Sequence, residues 1–238
     1  EEGSLPVLTK ESHIAGILTA TDIVELVDDA MGDDYAKLGG LTSEEDLNEP
    51  TITSMKKRLP WLIILLFLGM GVSSVVGIFE SVVAVLPIVI CFQSLVLDMA
   101  GNVGTQSLAV TIRVLMDESL TGKQKAELVF KEMKIGLCNG GLLGLMSFVL
   151  IGLYIFAIKG KTLAFSYAVS ACIGVALLLA MLISSAVGTC IPLLFKKIKV
   201  DPAVASGPLI TTINDLVAVV SYYGLSWLFL IDLFHMAG

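Results

Sequence analysis

From residue 59 onward the chain consists of long apolar runs divided by short charged ones. Uncharged residues fill the intervals between Arg58 and Glu80, from Ser81 to Ile112 with one interruption at Asp98, between Lys134 and Lys159, and between Lys161 and Lys196. A fifth interval, between Asp201 and Asp232, is interrupted once, at Asp215. A helix needs about 20 apolar residues to cross a hydrocarbon core. The pattern therefore predicts five transmembrane helices at about 59–79, 82–114, 133–158, 163–195 and 204–231. At ~1.5 Å per residue the second and fourth runs are too long for one straight span. The second must tilt, protrude or break, with Gly101 and Gly104 as the expected place, and the fourth could divide into two short passes. Leu59-Pro60-Trp61 suits a helix entry, with Pro in the first turn and Trp at the interface.

Before residue 59 the pattern changes. Leu5–Leu8 and His13–Thr19 read as short strands, and residues from about Ala20 to Met31 as a helix with Ile23, Val24 and Val27 on its apolar side. Two strands and one helix are too few for a core of their own, so residues 1–34 read as the end of a larger soluble domain. Residues 35–58 read as a linker or amphipathic connecting helix, and 59–238 as the membrane body. The expected class is an all-α membrane protein with a small α/β remnant in front.

Composition agrees: 55% of residues are hydrophobic, well above a soluble domain. The first residues are acidic and polar, unlike a secretory leader. The net charge of −7 conceals a split: residues 1–50 hold thirteen acids against Lys10 and Lys37, and residues 51–238 thirteen bases against nine acids. An acidic head on a mildly basic membrane body argues against nucleic acid and for small cations as partners. Cys91, Cys138, Cys172 and Cys190 are scattered singly, with neither metal-type nor disulfide-framework spacing.

With the N-terminus inside, the inner loops hold eleven Lys and Arg and the outer side only Lys159 and Lys161. This positive-inside bias places the C-terminus outside. Gly136, Gly140 and Gly144 repeat every fourth residue, the small-xxx-small spacing of close helix packing, read here as packing within one subunit. No internal repeat of the kind found in inverted-repeat transporters is visible.

The chemistry concentrates at Asp215. A carboxylate at the centre of a membrane helix costs roughly 2.5–3.5 kcal/mol on insertion scales, and such residues serve a cation, a proton or a partner charge. Thr211, Thr212 and Asn214 add oxygens on nearby turns, an environment that suits a hard cation such as Mg²⁺ or its hydration shell. The competing reading is an Asp packed on a buried Lys or Arg. On the second span, Asp98 precedes Gly101-Asn102-Val103-Gly104-Thr105-Gln106, polar groups at membrane depth that suit a wet cavity. Interhelical hydrogen bonding is the alternative. Two intramembrane acids also raise aspartyl proteolysis. Ile213-Asn214 precedes Asp215 without a Gly-x-Gly, so the reading is not an enzyme.

These residues resemble the MgtE family of magnesium channels. The resemblance rests on Gly101-Asn-Val-Gly-Thr-Gln106 with Ala109-Val-Thr-Ile-Arg113, on Asp201-Pro-Ala-Val-Ala-Ser-Gly-Pro208 with Thr211-Thr-Ile-Asn-Asp215, and on Lys57-Arg-Leu-Pro-Trp61. The head resembles the end of the family's second CBS domain through Gly16-Ile-Leu-Thr-Ala-Thr-Asp22 and Asp33-Asp34-Tyr35. The resemblance implies a homodimer in the plasma membrane, with five spans per subunit and a pore between second and fifth helices. It implies Asp215 as the pore Mg²⁺ ligand, Gly101, Asn102, Thr105, Thr211 and Asn214 as pore lining, and Asp201 at the inner mouth. It implies Asp22, Glu25, Asp33 and Asp34 as regulatory Mg²⁺ ligands, and Thr19 with Asp22 as half of an adenine-nucleotide motif of the full-length CBS domain. Two positions depart from the expected pattern: Thr105 stands where some members carry Asn, and Asp98 where a neutral residue is expected.

The implied function is Mg²⁺ import down its electrochemical gradient, gated by cytosolic Mg²⁺ through the acidic head. Transport of another divalent cation such as Mn²⁺ or Co²⁺, or proton-coupled transport with Asp215 titrating, stay open as alternatives.

Overall fold

A computed structural model describes residues 3–116, 120–203 and 206–233. The head is an antiparallel hairpin, β1 (Ser4–Leu8) and β2 (Ile14–Thr19), followed by α1 (Ala20–Leu38). Thr19 starts α1 with a reciprocal cap: its hydroxyl accepts from the Asp22 N–H, and its own N–H donates to the Asp22 carboxylate. Hydrogen bonds donated by the Thr19 N–H and then by its hydroxyl hold the Asp22 carboxyl below its usual range. The cap is complete above the ordinary carboxylate range and is lost as pH falls through the lowered value.

Helix α1 outruns the expected end at Met31 and passes unbroken across residues 34 and 35. Gly32 in mid-helix leaves room for the Glu44 carboxylate, which a Cβ there would strike, and Asp33 and Lys37 pair one turn apart at 3.5 Å. The helix stops at Gly39, with Gly40 at φ +84 supplying the left-handed residue. Residues 41–50 fold back onto the next helix, α2 (Thr51–Ile78). Lys57 Nζ lies 2.7 Å from Glu49, and Arg58 forks onto Glu45 at 2.8–3.0 Å. Hydrogen bonds from Ser54 and then Arg58 hold the Glu45 carboxyl below its usual range. Because the acidic loop neutralises this basic stretch, helix forms from Thr51, and Pro60 lies inside α2 rather than in its first turn.

Five helical segments among the described residues are long and apolar enough to cross a membrane: Thr51–Ile78, Pro87–Leu115, Gly122–Ala157, Leu163–Lys197 and Gly207–Leu233. The count and order agree with the hydropathy pattern, and two details differ. The second span breaks at Leu86-Pro87, not at its glycines. A short α3 (Glu80–Val85) and a 3₁₀ turn (Pro87–Val89) precede α4 (Ile90–Met116), which runs unbroken through Gly101 and Gly104. Pro87 lacks the N–H that would continue the helix and pushes Leu86 out of the helical region, to φ −127 and ψ 72. The fourth run is one helix, α6 (Leu163–Lys197), with no division.

Helix α5 (Gly122–Ala157) begins well before the expected residue 133, because Thr121 and Gln124 cap it reciprocally. It packs on α6 through its glycine ladder. A Cβ on Gly144 would lie 2.6 Å from the Gly174 carbonyl oxygen, and one on Gly174 2.7 Å from that of Gly144. Gly140 meets the Leu178 backbone in the same way. The expected close approach within one subunit is therefore present.

Helix α6 forms the centre of the bundle. Its Ile173, Ala176, Leu177 and Ala180 are buried in one cluster with Val96 and Ala100 of α4 and Ile151 and Ile155 of α5. The last helix, α7 (Ser206–Leu225), adds Ala218, Val219, Tyr222 and Tyr223 to that core and continues as a π-helical stretch, Ser226–Leu233. Tyr222 donates to the Val89 carbonyl at 2.9 Å and Tyr223 to Gln93 at 2.6 Å, which ties α7 to the broken start of the second span.

Candidate functional site

The site is built where α4, α6 and α7 approach most closely. Gly104 of α4 leaves no room for a side chain: a Cβ there would run into the Asn214 carboxamide of α7. On the other side, a Cβ on Gly188 of α6 would run into the Gly104 carbonyl oxygen. The contact therefore brings Gly104 and Asn214, the residues that precede Thr105 and Asp215, to one level of the bundle.

Asp215 is half-buried and lines a cleft of roughly 450 Å³ with Thr211, Thr212 and Pro208 of its own helix and Leu65, Gly69 and Val72 of α2. Its carboxylate has no hydrogen-bond or ion-pair partner among the described residues. The reading in which Asp215 packs on a buried base is thereby set aside. The role of α2 is not visible in hydropathy, which marks it only as a span. The one available signal is Gly69 within a Leu- and Ile-rich run, and no atom lies within 4 Å of a Cβ built there.

The neighbouring hydroxyls are arranged for one chemistry. In the cleft, Thr211 donates to the Gly207 carbonyl and Thr212 to that of Pro208, each at 3.1 Å; on α4, outside the residues that line the cleft, Thr105 donates to the Gly101 carbonyl at 2.9 Å. With its proton committed to its own helix, each hydroxyl offers only lone pairs outward. An ionised Asp215 likewise only accepts. The waters around a hydrated cation point their hydrogens outward, so the acceptor oxygens of Asp215, Thr211 and Thr212, set beside the apolar Leu65, Val72 and Pro208, suit such an ion.

On α4, Asp98, Asn102 and Thr105 are exposed and Gly101 half-exposed, at i, i+4, i+7 and i+3. Asn102 donates to the Asp98 backbone carbonyl at 2.9 Å and to its carboxylate at 3.1 Å. This polar stripe lies on the face of α4 turned away from its buried residues Val96, Ala100, Val103 and Leu108. A Cβ on Gly101 would meet nothing within 4 Å. Asn214, expected among the pore-lining groups, is fully buried against Gly104, so its carboxamide does not face the Asp215 cleft.

Asp201 precedes α7. One carboxylate oxygen accepts from the Ala203 N–H at 2.9 Å, and the other lies 3.1 Å from Lys37 Nζ. Lys37 thus joins the end of α1 to the start of α7, and Asp201 is the main cause of the upward shift of its ammonium. The pairing holds below the usual lysine range and is lost only as pH rises through the raised value. The same ends touch through their backbones: a Cβ on Gly207 would strike the Leu38 carbonyl, and one on Gly40 would lie 2.8 Å from Pro208. Asp34 and Asp201 line one cleft of roughly 300 Å³ with Lys196 and Lys199.

The four head acids are not brought together. Asp22 and Asp33 are eleven residues apart on one helix, about 16 Å at 1.5 Å per residue. Thr19 and Asp22 are committed to each other in the helix cap. Among the described residues no group of three or more His, Cys, Asp or Glu converges as a metal site.

Comparison with known proteins completes the picture. A family model, MgtE, described as a divalent cation transporter, matches residues 93–225. The chain is 37% identical over 227 residues to the magnesium transporter MgtE of Enterococcus faecalis, covering 95% of this chain and 48% of that protein. It is 34% identical over 227 residues to the protein of the same name in Bacillus subtilis and 31% over 229 residues to that of Thermus thermophilus, with the same coverage. The chain spans about half the length of the curated relatives it matches.

Proposed function

Because the chain belongs to the MgtE family of divalent cation transporters, we propose that it is the pore-forming part of a Mg²⁺ channel of the plasma membrane. Its N-terminus faces the cytoplasm and its C-terminus the outside. Two copies meet so that two Asp215 carboxylates and the α4 stripes bound one pathway. The observation that carries this reading is the unpartnered Asp215 carboxylate in a membrane-depth cleft, beside the outward lone pairs of Thr211 and Thr212. Mg²⁺ holds its octahedral water shell tightly, and a ring of carboxylates with spare acceptors binds that shell without stripping it. Influx is driven by the membrane potential, worth about 4.6 kcal/mol per divalent ion at 100 mV.

Reconstitution in liposomes tests this. Mg²⁺ uptake should follow an inside-negative potential and stay flat with pH across neutrality. Larger uptake of Mn²⁺ or Co²⁺ than of Mg²⁺ would point to another cargo. A steep change near neutral pH with accompanying proton movement would point to proton coupling.

The head supplies the gate in this proposal. Cytosolic Mg²⁺ drawn to the acidic head favours the state in which the end of α1 rests on the mouth of α7, a two-state element biased by its ligand. Lys37 already bridges Asp33 and Asp201. Such a partly exposed pair contributes at most about 1 kcal/mol. In patch recordings Lys37→Gln should therefore raise the inhibitory Mg²⁺ concentration by no more than roughly fivefold, and an unchanged midpoint would remove Lys37 from the gate.

A further inference from the structure

We propose that the cleft between the basic ends of α5 and α6 is a binding site for one anionic phospholipid. The cleft is roughly 480 Å³ and is lined by Lys125 and Lys197 at one end and by Val129, Cys190, Ile191 and Leu194 along its length. Lys125 lies in the first turn of α5 and Lys197 is the last residue of α6, so both ammoniums belong to the membrane edge. The apolar residues lie progressively deeper along the two helices. The cleft thus has the polarity of a phospholipid, with a cationic rim above an apolar trough.

The lysines set the ligand's sign. Most bases near the helix ends are engaged: Lys57 and Arg58 pair with Glu49 and Glu45, Lys123 lies 3.9 Å from Glu127, and Lys196 donates to the Leu115 carbonyl at 2.7 Å. Lys159 and Lys161 sit over the rings of Tyr154 and Phe165. Lys125 and Lys197 have no carboxylate or hydrogen-bond partner for their ammoniums among the described residues. No acid lines the cleft. Two unpaired cations at an interface attract a phosphate whose headgroup carries no compensating ammonium, and a trough open to the side of the bundle takes an acyl chain. Leu194 is 53% exposed, which leaves the trough open laterally. A water-soluble phosphate compound would leave that trough empty.

Native mass spectrometry of the purified protein with equimolar phosphatidylglycerol and phosphatidylcholine tests this. Retained adducts should favour phosphatidylglycerol. The double variant K125Q/K197Q should reduce that preference about tenfold or more, the order expected for two lysines near an anionic surface. K125R/K197R should keep it. K131Q/K134Q, on the same helix but outside the cleft, should also keep it. Equal retention of the two lipids, or a preference that survives K125Q/K197Q in a protein that still elutes as the native species, would overturn the site. So would displacement of the lipid by glycerol phosphate, which has the headgroup charge but no acyl chain.

Discussion

Asp215→Asn should reduce Mg²⁺ flux by at least about a hundredfold and leave thermal stability within about 0.5 kcal/mol of the native protein. The two halves of this expectation have separate causes. The carboxylate has no partner among the described residues, so replacing it by an amide of the same shape breaks no bond in the fold. What is lost is charge. A unit charge about 5 Å from a divalent ion contributes about 6.6 kcal/mol at an effective dielectric of about 20, and each copy in a dimer supplies one. Even a fraction of that term exceeds the roughly 2.7 kcal/mol that separates hundredfold changes in rate. Stopped-flow dye measurements in liposomes give the flux, and unfolding in detergent gives the stability. Native flux from the Asn variant would sink the assignment of Asp215 to the pathway. Collapse of the protein would show that Asp215 has a structural partner.

Much of this architecture is legible in the sequence because a membrane converts charge into position. Five uncharged runs become five helices, since an unpaired charge in hydrocarbon is costly and a backbone there must be helical. The same logic isolates Asp215. Packing is less legible. The Leu86-Pro87 break and the head-to-mouth contact of Lys37 with Asp201 depend on which surfaces meet, and hydropathy is silent on that. Asn214 shows the limit: an amide beside the key acid reads as a ligand, yet Gly104 and Gly188 draw three helices so close that its carboxamide fills their junction. The contribution of α2 to the Asp215 cleft escapes for the opposite reason. A helix rich in Leu and Ile gives no charged signal, and the cleft there is made by the side chain that Gly69, one of its three glycines, lacks.

The two glycines of the second span should therefore behave in opposite ways. Gly101→Trp should fold and assemble normally but lose flux, because a Cβ at that position meets nothing within 4 Å and lies on the polar stripe with Asn102 and Thr105. An indole placed there fills open space with apolar surface at the level where hydrated ions must pass. Gly104→Leu should fail earlier. Its side chain would have to displace the fully buried Asn214 carboxamide of α7, and a group the size of Leu in that space parts α4 from α7. Overpacking of that kind typically costs 1–3 kcal/mol or more, so the variant should lose monodispersity or unfold well below the native protein. Gly188→Ala should do the same in milder form, since its Cβ would strike the Gly104 carbonyl. Size-exclusion profiles and melting curves in detergent, read beside flux in liposomes, distinguish the outcomes. A stable Gly101→Trp protein with native flux would place the α4 stripe away from the pathway. A Gly104→Leu protein that melts like the native one would mean that α4, α6 and α7 are not held by glycine contact, and that this contact does not set the level of the residues beside Asp215.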